Sequence, residues 1–250
     1  MKIMSKAIPI LMYHRVDEVS DNRNTVLLEQ FRQQLQFLQR NGFRTIGMKD
    51  LYQHFTANAA LPDKPVLLTF DDGYEDNYLH VLPLLKAFQM KAVVFPVARW
   101  VGRTCGWKKN PAAERLMDWR QLQEWQAAGL EIGAHTFNHV RLSTLSEEQI
   151  RYELQESKAV LEGQLGQPVD FLCYPYGDFD DRTRRYAEQA GYKAALGIFN
   201  GTGQGNMYAL PRIGVSARTS LWEYGLKVSR WGKVFVAARR LEGRLKKLFK

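Results

Sequence analysis

Two adjacent carboxylates and two histidines four residues apart carry the chemistry of this chain. The apolar run Val66 to Phe70 ends in Asp71-Asp72-Gly73, and His135-Thr136-Phe137-Asn138-His139 stands well downstream. Asp72, His135 and His139 are three hard or borderline donors for one divalent cation. Three protein ligands with a fourth position open are the pattern of a catalytic zinc rather than a structural one. Successive side chains diverge along a strand-like path, so Asp72 can face a metal while Asp71 faces the substrate water. A bound divalent metal brings the pKa of its water to about 7, and a neighbouring carboxylate can then take the proton. One helical turn would set both imidazoles on the same side. The histidine spacing is a weak signal alone, and its co-occurrence with Asp-Asp-Gly makes it specific.

Residues so far apart in sequence need a scaffold that gathers them. Apolar β-type runs occur at Ile8–Tyr13, Arg44–Ile46, Val66–Phe70, Ala92–Val97, Leu130–Ala134, Phe171–Tyr174 and Lys193–Leu196. Helical patterns lie between them. Leu28 to Arg40 repeats apolar residues at Leu28, Phe31, Leu35 and Leu38 and stops at Asn41-Gly42. Asp118 to Ala128 stops at Gly129, Ser146 opens a helix as a capping box with Gln149, and Asp180 to Ala190 stops at Gly191. Repeated strand–helix units imply a parallel sheet. About seven units in one stretch favour a closed barrel, and no Gly-x-Gly-x-x-Gly loop supports a dinucleotide fold. In such barrels the chemistry sits at the C-terminal ends of the strands. Asp71-Asp72, His135, Tyr176 and His14 all fall just past such ends.

On these motifs the chain resembles the polysaccharide deacetylases, the NodB-homology carbohydrate esterases. Thr69-Phe70-Asp71-Asp72-Gly73 and His135-Thr136-x-x-His139 are similar to that family's first two motifs, and Phe171-Leu172-Cys173-Tyr174-Pro175-Tyr176-Gly177 to its third. The resemblance covers about residues 7–215. It implies an α/β fold, a distorted (β/α)7-type barrel, that hydrolyses N-acetyl and sometimes O-acetyl groups of sugars with a divalent metal, commonly Zn²⁺. It makes Asp71 the general base and Asp72, His135 and His139 the metal ligands. It also makes Tyr176 the residue whose backbone N–H helps hold the oxyanion.

Two positions depart from the pattern. Arg commonly stands at the position of Cys173 and orients the base, so Arg212, in Leu210-Pro211-Arg212-Ile213, is the candidate replacement. The family's late Leu-x-His motif is missing, because all five histidines lie at or before position 139. Leu11-Met12-Tyr13-His14 closes the first strand instead and resembles the branch that deacetylates poly-N-acetylglucosamine. His14 is therefore expected to be the general acid. His54 and His80 read as surface residues. The basic, aromatic loop from Ala98 to Arg115, with Trp100 and Trp107, reads as a substrate-recognition insertion.

Net charge and cysteine usage bear on partners and place. The formal charge is +9, but residues 227–250 hold nine Lys or Arg against one acid, leaving 26 bases and 25 acids elsewhere. As a helix, the tail puts Trp231, Val234, Phe235, Ala238, Leu241, Leu245, Leu248 and Phe249 on one side and its cations on the other. A basic amphipathic helix of this kind suits an anionic membrane surface. The nearly neutral body argues against nucleic acid. Two cysteines form no disulfide framework and fit a reducing compartment. With no signal-peptide core and no apolar stretch long enough to span a bilayer, the expectation is a cytoplasmic protein held peripherally at the inner face of the membrane.

The reading is thus a barrel over residues 1–220 and an amphipathic helical tail over 221–250. It predicts a metal-dependent N-deacetylase of an N-acetylated glycan, with a lipid-linked or glycolipid precursor of a surface polysaccharide as substrate. The alternatives are an O-acetyl esterase with the same site and a non-catalytic glycan-binding protein.

Overall fold

The computed structural model describes residues 8–19, 22, 24–107, 114–198, 206–229, 232, 234, 237 and 238. In chain order the elements are β1 (Ile10–Tyr13), β2 (Arg15–Asp17), β3 (Thr25–Leu27), α1 (Leu28–Arg40), β4 (Arg44–Ile46), α2 (Met48–Ala57), β5 (Pro65–Asp72), α3 (Leu82–Phe88), β6 (Val93–Pro96), α4 (Trp119–Ala127), β7 (Glu131–Ile132), α5 (Glu147–Leu165), β8 (Phe171–Cys173), α6 (Asp181–Gln189), β9 (Ala194–Ile198), β10 (Leu210–Gly214) and α7 (Leu221–Val228). Seven parallel strands follow the order β7-β6-β5-β1-β10-β9-β8. The ring closes where Ala134, just past β7, bridges Leu172 of β8. Ala134 donates to the Phe171 carbonyl at 2.9 Å, and its own carbonyl accepts from the Cys173 N–H at 2.8 Å.

The period of two in each stave separates two apolar layers. Leu67, Val93, Phe95, Phe171, Leu196 and Leu210 meet inside the ring. Val66, Leu68 and Phe70 point outward against Phe31 and Leu35 of α1, and Leu172 and Ala195 point outward against Ile150 and Leu154 of α5. On β5 the inner positions continue through Thr69 to Asp71, so the strand that builds the core also delivers a carboxylate at its C-terminal end. On β10 the inner positions are Leu210 and Arg212; on β8 they are Phe171 and Cys173.

Three expectations need correction. The run Arg44–Ile46 is a strand, but it pairs only with Pro65–Leu67 and lies off the ring. The seventh stave is β10, which the apolar-run criterion passes over. It contains Pro211, which cannot donate to a ladder, and the buried Arg212. Finally, α7, assigned to the tail, packs on the barrel: Tyr224 and Val228 are buried in the main core, and Tyr224 meets Phe37 edge-on at 6.0 Å. The rest of the expected tail falls mostly outside the described residues; Val234, Ala237 and Ala238 are helical and exposed.

Candidate metal and catalytic site

The C-terminal end of β5 sets two carboxylates in different directions. Asp72 and Gly73 both take left-handed backbone, with φ of 73° and 76°. Glycine accepts this freely, and a Cβ at Gly73 would lie 2.9 Å from the Pro96 Cα. For an aspartate it is strained by about 1–3 kcal/mol. Asp71 stays on the inner face of the strand, and the turn carries Asp72 toward the loop after β7.

Asp71 is buried against Arg212. Arg212 Nη1 and Nη2 donate to Asp71 Oδ1 and Oδ2 at 2.6 and 2.7 Å, a bidentate pair. The remaining guanidinium donors reach the Gly197 carbonyl at 3.1 Å, Thr69 Oγ1 at 3.0 Å and Cys173 Sγ at 2.8 Å. All five N–H groups of the arginine are therefore used. Burial pushes the Asp71 carboxyl up, and the Arg212 charge more than reverses it, so Asp71 stays below its ordinary value and ionised. Burial pushes the Cys173 thiol up. The small neutral side chain on β8 leaves room for a guanidinium that arrives from β10, two staves away.

Asp72, His135 and His139 present ligand atoms within 4.8 Å of one another. Asp72 Oδ1 faces His135 Nε2 at 3.4 Å and His139 Nε2 at 3.1 Å. Neither approach is a hydrogen bond, because Asp72 Oδ1 is buried with no hydrogen-bond partner. His135 Nδ1 lies 2.8 Å from the Cys173 carbonyl. That acceptor requires Nδ1–H, so in the neutral imidazole the Nε2 lone pair faces the triad, the usual support of a metal-bound imidazole. Burial pulls the His135 imidazole down, but Cys173 and the carboxylates of Asp72 and Asp71 hold it well above its ordinary value, so a cation would bind there by displacing a proton. Burial pulls the His139 imidazole below its ordinary value, toward the neutral form that ligates. Burial also raises the Asp72 carboxyl, and the two imidazoles more than reverse this. The donor set and the orphaned Asp72 oxygen fit a divalent cation.

The histidine segment is not the helical turn that the spacing suggests. It is a loop in which Thr136 and His139 are left-handed, with φ of 63° and 64°. Thr136 Oγ1 accepts the His139 N–H at 3.1 Å. Tyr176 is also left-handed, φ 60°. Of the seven described non-glycine residues with positive φ, four are Asp72, Thr136, His139 and Tyr176. Backbone strain is thus gathered at this end of the barrel.

A cavity of about 300 Å³ joins the pieces, lined by His14, Asp71, Asp72, His135, His139, Trp107 and Tyr176 among others. His14 continues the inner alternation of Ile10 and Met12, and its carbonyl accepts from Asn77 Nδ2 at 2.9 Å. The Trp107 ring stacks on His139 with centroids 4.4 Å apart, and Tyr176 meets the same imidazole edge-on at 4.7 Å. Part of the Ala98–Arg115 loop therefore reaches the site, while residues 108–113 lie outside the described residues. All seven site residues named from the sequence lie at this end of the barrel. His54 and His80 lie away from it: His54 contacts the Ala59 carbonyl and His80 faces Asp17. Sequence reasoning missed Thr69 as a partner of Arg212 and Glu153 of α5, whose carboxylate holds the histidine loop.

Comparison with known proteins identifies the family. The family model described as polysaccharide deacetylase matches residues 58–195. YxkH of Bacillus subtilis (strain 168) is 32% identical over 220 residues, covering 87% of this chain and 75% of that protein. The poly-beta-1,6-N-acetyl-D-glucosamine N-deacetylase of Escherichia coli (strain K12) is 26% identical over 87% of this chain, which spans 38% of the E. coli protein. Among solved structures, the Streptococcus pyogenes deacetylase PplD in complex with acetate superposes with a TM-score of 0.76 at 28% identity, covering 86% of this chain and 96% of that one.

Proposed function

We propose that this chain, which belongs to the polysaccharide deacetylase family, hydrolyses the N-acetyl group of an N-acetylated glycan with a divalent metal held by Asp72, His135 and His139. The observation that carries this reading is one ionised, arginine-clamped carboxylate, Asp71, sharing a cavity with an incomplete ligand triad. Zn²⁺ is the metal we assign, from the two imidazoles and one carboxylate. Such a cation polarises a carbonyl and acidifies water.

The chain's own residues do the rest. Asp71 accepts the proton of the attacking water, and Arg212 fixes both its oxygens so that it meets the water in one orientation. The His14 imidazole donates a proton to the amide nitrogen as the C–N bond breaks, giving acetate and a free amine. The Tyr176 backbone N–H serves the oxyanion. Trp107 and Tyr176 supply aromatic faces for a sugar ring.

Our substrate assignment is an N-acetylated sugar on a lipid carrier, or a glycolipid precursor of a surface polysaccharide, met at the inner face of the membrane. It is supported by the basic excess of residues 227–250, eight net charges, of which Lys227 is taken up by the Gly214 carbonyl and Thr219 and the rest suit an anionic leaflet at about 1 kcal/mol per cation. The exposed helical residues Val234, Ala237 and Ala238 agree with it. Acetate release from isoprenoid-linked N-acetylhexosamines and from soluble N-acetylglucosamine oligomers, with Asp71→Asn as blank, tests both parts. Release from soluble oligomers alone keeps the chemistry and removes the membrane assignment. A His14→Ala protein with full activity and an unchanged pH profile removes the general acid.

A further inference from the structure

Glu153 is a carboxylate at a core position. On α5 it shares the buried face with Ile150, Leu154, Ser157 and Leu161, a helical stripe that is otherwise apolar or small. A carboxylate placed there is costly unless it is hydrogen-bonded. Its oxygens are satisfied by the loop between the two histidines. Oε2 accepts the Phe137 N–H at 3.0 Å and the Asn138 N–H at 2.8 Å, and Oε1 accepts Asn138 Nδ2 at 2.6 Å.

That loop does not hold its shape unaided. Thr136 and His139 are both left-handed, a conformation unfavourable for any residue with a Cβ, and for threonine in particular. The Thr136 and Phe137 carbonyls accept from Ala98 and Arg99 at 3.3 and 3.1 Å, which ties one side. Glu153 ties the other, at Phe137 and Asn138, two of the three residues between the histidines. The α5 capping box of Ser146 and Gln149 and the packed stripe below fix the helix itself.

We infer that Glu153 is a positioning residue that sets the metal affinity of the Asp72–His135–His139 triad by fixing the loop between its two histidines. The inference rests on the metal reading above. Glu153→Ala leaves two backbone N–H groups without their acceptor, whereas Glu153→Gln keeps a carbonyl oxygen for them. The experiment measures the Zn²⁺ dissociation constant of the full chain by competition with a chromophoric chelator, alongside thermal unfolding of the metal-free protein. Ser157→Ala, one turn further along the same face and bonded to Tyr192 rather than to the loop, controls for lost helix packing.

The expected result is a loss of Zn²⁺ affinity of about 10–100-fold in Glu153→Ala, the range for removed outer partners of metal ligands. Glu153→Gln recovers most of it, and Ser157→Ala binds as the parent does. Wild-type affinity in Glu153→Ala overturns the inference, and so does an equal loss in Ser157→Ala. Should Glu153→Ala not fold, Glu153→Asp, which draws the oxygens back by one methylene, is read in the same way. A parent protein that binds no Zn²⁺ overturns the metal reading and this inference with it, whereas unchanged affinity in the variants overturns this inference alone.

Discussion

Asp71 and Asp72 are consecutive, equally buried and opposite in treatment. Both oxygens of Asp71 are met by Arg212, whose five donors all find acceptors within the chain. Asp72 Oδ1 has no hydrogen-bond partner and faces the Nε2 atoms of both imidazoles, and Asp72 and His139 sit on left-handed backbone. A buried polar atom left unmet costs about 1–3 kcal/mol, and here it is a carboxylate oxygen aimed at two ligand nitrogens. The difference teaches which half of the site the chain completes alone. The Asp71–Arg212 pair is finished by folding, and on the proposed reading the triad is finished by a cation from solution.

Breaking the finished half has the largest expected effect. Arg212→Met leaves the Asp71 carboxylate buried without its countercharge. Loss of one partner of a buried pair costs about 3–5 kcal/mol, which urea unfolding will show. Turnover falls about tenfold or more, while Zn²⁺ binding persists because Arg212 touches none of the three ligands. The pH dependence changes sign. In the parent the folded Asp71 pKa lies below the unfolded value. The pair's contribution is therefore complete above about pH 4 and is lost as pH falls through the folded pKa. In the variant the two Arg212 contributions are gone, and burial, the largest cause, raises the carboxyl against the smaller pull of His135 and His14. Its stability then improves as pH falls through the raised value, and the acid limb of activity moves to higher pH. An unchanged acid limb with unchanged stability would show that the pair is not what tunes Asp71.

Completing the unfinished half has a smaller effect of opposite direction. A ligand that binds only the native state at a hundred times its dissociation constant stabilises by about 2.7 kcal/mol. For a chain of this size that is a melting-temperature rise of roughly 5–10 °C. Asp72→Asn tolerates the left-handed backbone but drops the charge, so the Zn²⁺-induced rise should disappear while the metal-free protein melts no lower than the parent. If Zn²⁺ stabilises Asp72→Asn as much as the parent, the triad is not its site.

The same contrast decides what could be read from the sequence. Asp71-Asp72-Gly73 and His135-x-x-x-His139 are legible because ligand chemistry restricts residue types at short spacing. The inner and outer faces of β5 are legible because burial on both sides leaves a near-continuous apolar run. β10 is illegible by that criterion, since Pro211 and Arg212 interrupt it, although the family resemblance, with its arginine missing at Cys173, points to Arg212 as the replacement. The loop conformation at Thr136 and His139 is set by tertiary bonds to Ala98, Arg99 and Glu153, which local spacing does not encode. Glu153 left one trace, a carboxylate in register with Ile150, Leu154 and Leu161.

Cys173 gives the smallest and sharpest test. If it serves only as a small neutral neighbour that makes room for Arg212, Cys173→Ser keeps an acceptor near Nη2 and removes little else. The cost should stay within about 1 kcal/mol, the scale of one net hydrogen bond. Its backbone carbonyl, not its sulfur, is what His135 Nδ1 contacts, so Zn²⁺ affinity should not move. Activity near that of the parent then confirms that the finished half depends on the guanidinium and not on the thiol. A tenfold loss of turnover with intact Zn²⁺ binding would place Sγ, 3.5 Å from Asp71 Oδ1, among the groups that set the base.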